Sequence, residues 1–104
     1  DASAATRERA LAAMRTAMVR NIGGVERASR PVLVASVDAA GRGAGPAAGV
    51  EVEAVGRMRD RDATLIARFV GVGGRAWQAV VLGPAPDREQ AALFLGSLKL
   101  VRRE

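Results

Sequence analysis

No cysteine, histidine or tyrosine occurs in this 104-residue chain, and these absences exclude the commonest kinds of catalytic and metal site. Without cysteine there is no disulfide, no thiolate zinc site and no thiol nucleophile. Without histidine there is no Ser-His-Asp or Cys-His nucleophile, and proton transfer is left to aspartate, glutamate or the only lysine, Lys99. We therefore expect a protein that is not an enzyme and that carries neither a cofactor nor a metal ion.

Aromatic residues are also scarce: Phe69, Trp77 and Phe94 are the only rings. The core must be built mainly from valine, leucine, isoleucine and methionine, with each ring as a packing centre. No run of 18 apolar residues exists, which excludes a membrane-spanning helix in this chain. The length suits one domain, residues 1–104, with a single core.

Positive charge is in excess: the net charge is +5, and all but one of the cationic residues are arginines. Such a charge permits contact with a polyanion, but a polyanion site requires clustering on one face. Because the arginines are scattered along the chain, we favour a solvated basic surface. The residues of a candidate partner-binding surface are Arg57, Arg59, Arg61, Arg68 and Arg75.

The first third of the chain reads as a helix followed by strands. Apolar residues at spacings of three and four predict an amphipathic helix from about Ala4 to Arg20, ended by a double glycine. A short strand over Val25 to Ser29 is interrupted by Pro31, which suits a sheet edge, and a stronger strand covers Val32 to Val37. The glycine-rich segment 38–49 predicts a mobile loop. The helix stripe consists of Leu11, Met14, Met18 and Ile22.

Three further strands are predicted in the second half. Alternation over residues 50–55 buries the valines and shows Glu51 and Glu53 to water. A charged turn over residues 57–62 leads to a strand over residues 64–72, whose Phe69 face we expect to be buried. Gly73 and Gly74 predict a tight hairpin into a strand over residues 75–82. On that last strand we expect Trp77 to point inward, as a cross-strand neighbour of Phe69.

A second helix closes the chain. Asp87 followed by Gln90 has the layout of an N-cap with its partner, which predicts a helix to about Ser97 over the Phe69 face and then an extended or frayed tail. The fold class is therefore α+β, with an antiparallel sheet of four to five strands and an N-terminal and a C-terminal helix packed against it.

The run GGRAWQAVVLGPAPDREQAALFLGSLKL, together with the opening ALAAMRTAMVRNIGG, resembles a small exported bacterial domain type. Those domains in turn resemble distant members of the PsbP-like superfamily, which includes DcrB lipoproteins and a Ran-binding yeast family. The resemblance implies an accessory or binding module, periplasmic or secreted after removal of a signal peptide, with no catalytic residue. Trp77 and the loop over residues 38–49 depart from the family pattern.

Three functions stay open. The first is a non-enzymatic exported or envelope-associated binding module whose partner is another protein. The second is a basic adaptor that binds nucleic acid, which we do not favour, or an acidic protein through its arginines; it requires several of them on one face. The third is a small enzyme using Glu51, Glu53 or Asp62, which requires a carboxylate of raised pKa in a pocket.

Two smaller readings accompany these. Asp60 and Asp62 have oxygen ligands for Ca²⁺, but the arginines beside them favour a salt-bridged turn. The edge near Val25 to Arg30 leaves room for a homodimer, although Pro31 and the arginines favour a protected edge.

Overall fold

A four-stranded antiparallel sheet with a helix on each face forms the body of the protein, in a computed structural model that describes residues 2–73 and 75–101. The strand order is β1-β3-β4-β5, and β2 and β6 form a separate parallel pair. The predicted α+β class and both helices are confirmed. The elements are α1 (Ala2–Asn21), β1 (Val25–Val34), β2 (Ser36–Val37), β3 (Ala47–Met58), β4 (Arg61–Val72), β5 (Arg75–Gly83), α2 (Arg88–Ser97) and β6 (Leu100–Val101).

Helix α1 packs its predicted apolar stripe on one face of the sheet. Ile22 at its end is 1% exposed, and Gly23 takes the positive φ of 56° that ends the helix. The chain then crosses β3 so closely that a Cβ on Gly24 would lie 2.7 Å from the carbonyl oxygen of Val55. Only glycine fits there, and the amide of Arg57 donates to the carbonyl of Ile22 at 2.8 Å to fix the crossing.

Strand β4 is covered on both faces. Leu65, Ala67 and Phe69 are fully buried beneath α1, as predicted for the Phe69 face. Ile66 on the opposite face is buried against α2, and Val70 packs against β1 and β3. A strand with two buried faces reads as a near-continuous apolar run, which explains the sequence Thr64 to Val72.

The predicted placement of Trp77 is wrong. Trp77 pairs with Val70, whereas Phe69 pairs with Gln78, so the two rings lie on opposite faces. Trp77 is 42% exposed. Helix α2 also lies on the face opposite Phe69 and does not cover that ring. The polar Gln78 misled the prediction because β5 is an edge strand, where a side chain on either face can reach water.

The first two strands also differ from the prediction. Strand β1 runs unbroken through Pro31, which an edge strand tolerates because one side of its backbone needs no partner. It carries a bulge between Glu26 and Ala28. In the segment predicted as a mobile loop, Oδ1 of Asp38 accepts from the amides of Ala40 and Arg42 at 2.9 Å each, and β3 begins at Ala47, before the predicted end of the loop. Regular pairing then resumes at β3.

Helix α2 begins as predicted, with the carboxylate of Asp87 accepting from the amide of Gln90 at 3.0 Å. The tail after it is extended and pairs with β2 through Leu100 and Val101. Gly73 has a φ of 58°, as the hairpin requires, and the predicted role of Gly74 lies outside the described residues. So does the rest of the predicted tail, residues 102–104.

Truncating the two strand aromatics tests this assignment of faces. We expect Phe69→Ala to cost about 3–5 kcal/mol of unfolding free energy, since the ring is fully buried and leaves a cavity. Trp77→Ala should cost much less, on the order of 1 kcal/mol, because the indole already contacts water. Urea unfolding followed by circular dichroism measures both, and a larger loss for Trp77→Ala would contradict the register.

Candidate functional site: an apolar pocket beside Trp77

The five arginines of the predicted partner surface do not form one face. Arg57, Arg59 and Arg61 sit at the β3–β4 hairpin, where Arg59 and Asp60 take positive φ angles of 50° and 63°. Arg75 pairs with Val72 at the opposite end of β4. About ten residues of strand, or roughly 33 Å, separate the two ends.

Nor is the hairpin group uniformly basic. One Arg57 nitrogen donates to the carbonyl of Asp60 at 2.7 Å, and another lies 3.7 Å from a carboxylate oxygen of Asp62. The arrangement matches a salt-bridged turn, and the two aspartates offset much of the charge of the three arginines. The geometric requirement of a basic adaptor, several arginines on one face free of acids, is therefore poorly met.

Arg68 is inside the structure, where it joins the sheet to α2. Its Nε lies 2.9 Å from Oε1 of Glu51, and its Nη1 donates to the carbonyl of Leu95 at 3.4 Å. Glu51 also accepts from Nε of Arg30 on β1 at 3.1 Å. The Arg68 and Glu51 side chains are 14% and 19% exposed, so each charge is neutralised mainly by the other and little by solvent.

Glu53, next along the same face, is bound by Arg88 at the start of α2. The prediction that Glu51 and Glu53 face open water is wrong, because α2 packs over this face and arginines cover both carboxylates. The ion pair with Glu53 thus holds the start of α2, and the hydrogen bond from Arg68 to the carbonyl of Leu95 holds its end, with Ala91 and Leu95 buried against the sheet.

Glu51 and Glu53 do not meet the requirement set for acid catalysis, which is a raised pKa. Burial opposes ionisation of Glu51, but hydrogen bonds from Arg68 and Arg30 outweigh it and lower its pKa. The hydrogen bond from Arg88 likewise lowers the pKa of Glu53. The Asp62 side chain is 90% exposed. Within the described residues, no three acidic side chains converge to hold a metal ion.

The structure instead presents an apolar pocket of about 180 Å³ between the last turn of α2, β6 and the middle of the sheet. Trp77 is one of its lining residues and is 42% exposed. Its lining contains no acidic residue, and its charged members are Arg68 and Lys99. The lining residues are Val34, Arg68, Val70, Trp77, Gln78, Ala79, Leu95, Leu98, Lys99 and Leu100.

Lys99 is the cation that the pocket has to offer. Arg68 is engaged by Glu51 and by a helix carbonyl, whereas Lys99 is exposed and forms no ion pair with any described residue. It lies between the lining residues Leu98, whose amide donates to the carbonyl of Leu95 at 3.4 Å, and Leu100, which pairs with Ser36 of β2. The pocket therefore combines an apolar interior with one available ammonium group.

Sequence reasoning missed this site because its walls come from four separate segments of the chain. Two signals were nonetheless present. Trp77 is the only tryptophan, and Lys99 is the only lysine, set between leucines directly after a helix. Neither signal predicts a pocket unless the pairing of β6 with β2 is known.

Comparisons with protein-family models, with curated proteins and with solved structures found no match. Neither of the two helices in the described ranges is both long enough and apolar enough to cross a bilayer.

The arginine-bound carboxylates predict acid sensitivity. Glu51 and Glu53 have folded-state pKa values below their ordinary 4.5, so the stability they add is present above that pH and is lost as pH falls through the folded-state values. We expect Glu51→Gln to lower the melting temperature at pH 7, by leaving Arg68 without its counter-charge, and to differ less from the parent at pH 3. Glu8→Gln, at an exposed site on α1, is the control. A constant gap across pH would contradict the assignment.

Proposed function

We propose that this domain is a non-enzymatic binding module that recognises another protein by taking one apolar side chain of that partner into the pocket beside Trp77. A carboxylate of the partner, next to that side chain, would bind Lys99. The observation that carries the proposal is an apolar pocket whose lining has cationic but no acidic residues.

The size of the pocket argues for a side chain as its occupant. Pockets for drug-sized ligands and cofactors have volumes of about 300–1,000 Å³. At about 180 Å³, this pocket is too small for such a molecule and suits one aliphatic side chain. Single side chains anchored in small desolvated pockets commonly dominate the binding energy of protein interfaces.

Charge supports an acidic partner. The chain carries +5 overall, and Lys99 at the pocket has no ion pair with residues 2–73 or 75–101. A carboxylate beside the anchor would gain a charge-assisted hydrogen bond at the mouth. The net charge would also speed the encounter with an acidic surface.

The proposal includes an exported or envelope location, which rests on the resemblance to PsbP-like domains. It is supported by the motifs between Gly73 and Leu100, a segment that contains most of the residues lining the pocket. Fractionation of cells that express the full-length gene product tests the location. Recovery in the cytosol alone would refute it.

The pocket can be tested with a minimal probe, N-acetyl-leucine, which has an aliphatic side chain and a carboxylate. We expect a Kd of about 1 mM, typical of so small a ligand, with amide shifts at Leu98, Lys99 and Leu100 in a nitrogen-15 NMR titration. Trp77 fluorescence gives a second readout, since it is the only tryptophan. N-acetyl-leucinamide, which lacks the carboxylate, should bind several-fold more weakly.

Charge reversal at the pocket provides the matched comparison. Lys99→Glu should weaken N-acetyl-leucine about ten-fold while leaving N-acetyl-leucinamide nearly unchanged. Arg59→Glu makes the same change in net charge at the far hairpin and should leave both affinities intact. Equal losses in the two variants, or shifts spread over the whole sheet, would rule out this pocket as the binding site.

A further inference from the structure

The two edges of the sheet differ in their protection against another strand. The β1 edge has a bulge at Glu26/Ala28, a proline at position 31 and charged Arg27 and Arg30. Prolines, charges and bulges are the devices by which natural sheets block edge pairing. The prediction of a protected edge thus fits β1.

Strand β5 has none of these devices. It pairs with β4 on one side and, within residues 2–73 and 75–101, with no strand on the other. Its nine residues have no proline and no bulge, and the single charge, Arg75, lies at one end. Trp77 and Leu82 on this strand are 42% and 38% exposed. An unblocked apolar edge of this length is a template for strand addition.

We propose that the β5 edge pairs antiparallel with β5 of a second copy of this chain, about a two-fold axis at Ala79. The two sheets would join into one of eight strands. This goes beyond the pocket proposal and does not depend on it, because it rests on the unpaired backbone edge of β5, whose residues Trp77, Gln78 and Ala79 also line the pocket.

The strand is complementary to itself in this register. In this register, the numbers of two directly opposed residues add up to twice 79. Trp77 therefore faces Val81 of the second copy. Such a pair of an aromatic and a β-branched residue stabilises sheets. Leu82 faces Ala76, so both exposed apolar side chains gain cross-strand neighbours. Arg75 faces Gly83, and no like charges lie directly opposite. A two-fold interface of this type is isologous and closed, so it ends at a dimer.

The central position offers a charge-swap test. Gln78 is exposed, and about a two-fold axis at Ala79 it lies diagonal to its own copy, about 7–8 Å away. Gln78→Lys and Gln78→Glu should each weaken the dimer about ten-fold or more by like-charge repulsion. An equimolar mixture of the two variants should recover it as a heterodimer. Sedimentation velocity over a hundred-fold range of concentration measures each, against twice the chain mass of 10.8 kDa.

This design separates pairing from other causes. Gln78→Glu lowers the net positive charge of the chain. A dimer limited only by overall repulsion between two positive chains would therefore become stronger in this variant, and that result would overturn the proposal. Circular dichroism confirms that the variants fold. A parent that stays monomeric throughout the range, or a dimer that ignores both substitutions, would also overturn it.

Cross-linking gives an independent check, because the chain has no cysteine and any introduced one is unique. Gln78→Cys should give a covalent dimer with a short bismaleimide. Leu33→Cys, on the β1 edge strand and 69% exposed, should not. Efficient linkage through Leu33→Cys and not through Gln78→Cys would place the interface at the other edge and refute the β5 assignment.

Discussion

The burial of β4 on both faces is the constraint on which the rest of the structure depends. A sheet with one buried face needs one helix to cover it, and α1 covers the face that contains Phe69. The second face presents Ile66 and Val70 together with Arg68, so it requires both an apolar cover and a partner for a charge. Helix α2 and the return of β6 to β2 supply the cover, and Glu51 supplies the counter-charge.

Because α2 is short, polar contacts have to hold its ends. Ten residues bury only Ala91 and Leu95, which is little apolar area for a helix to dock with. Arg88 binds Glu53 near its start, and Arg68 reaches the carbonyl of Leu95 near its end. The pocket beside Trp77 adjoins the last of these contacts, because Arg68 and Leu95 are both among its lining residues. The residues that dock the end of the helix therefore also form part of the pocket.

The elements could be predicted from the sequence because their signals are local. The double glycine after α1, the Asp87 cap and the alternation in β3 each specify a few consecutive residues. The faces of β5 cannot be predicted this way, because a polar Gln78 indicates a solvent side only when one face of the sheet is buried, and α1 and α2 cover opposite faces of this sheet. Register decides the matter: Trp77 opposite Val70 rather than Phe69 moves the ring to the other face.

The candidate site is harder to predict for the same reason, since its residues lie on separate segments that only the fold brings together. The sequence shows the charge of Arg68 but not its partner, Glu51, which lies 17 residues away along the chain. Once the paired arginines are set aside, Lys99 stands out as a cation beside an apolar surface. In the proposed binding mode, a partner side chain that enters the pocket displaces water next to this exposed ammonium group. A carboxylate beside that side chain would replace the lost hydration, and for this reason the proposal joins the apolar anchor to an acidic neighbour.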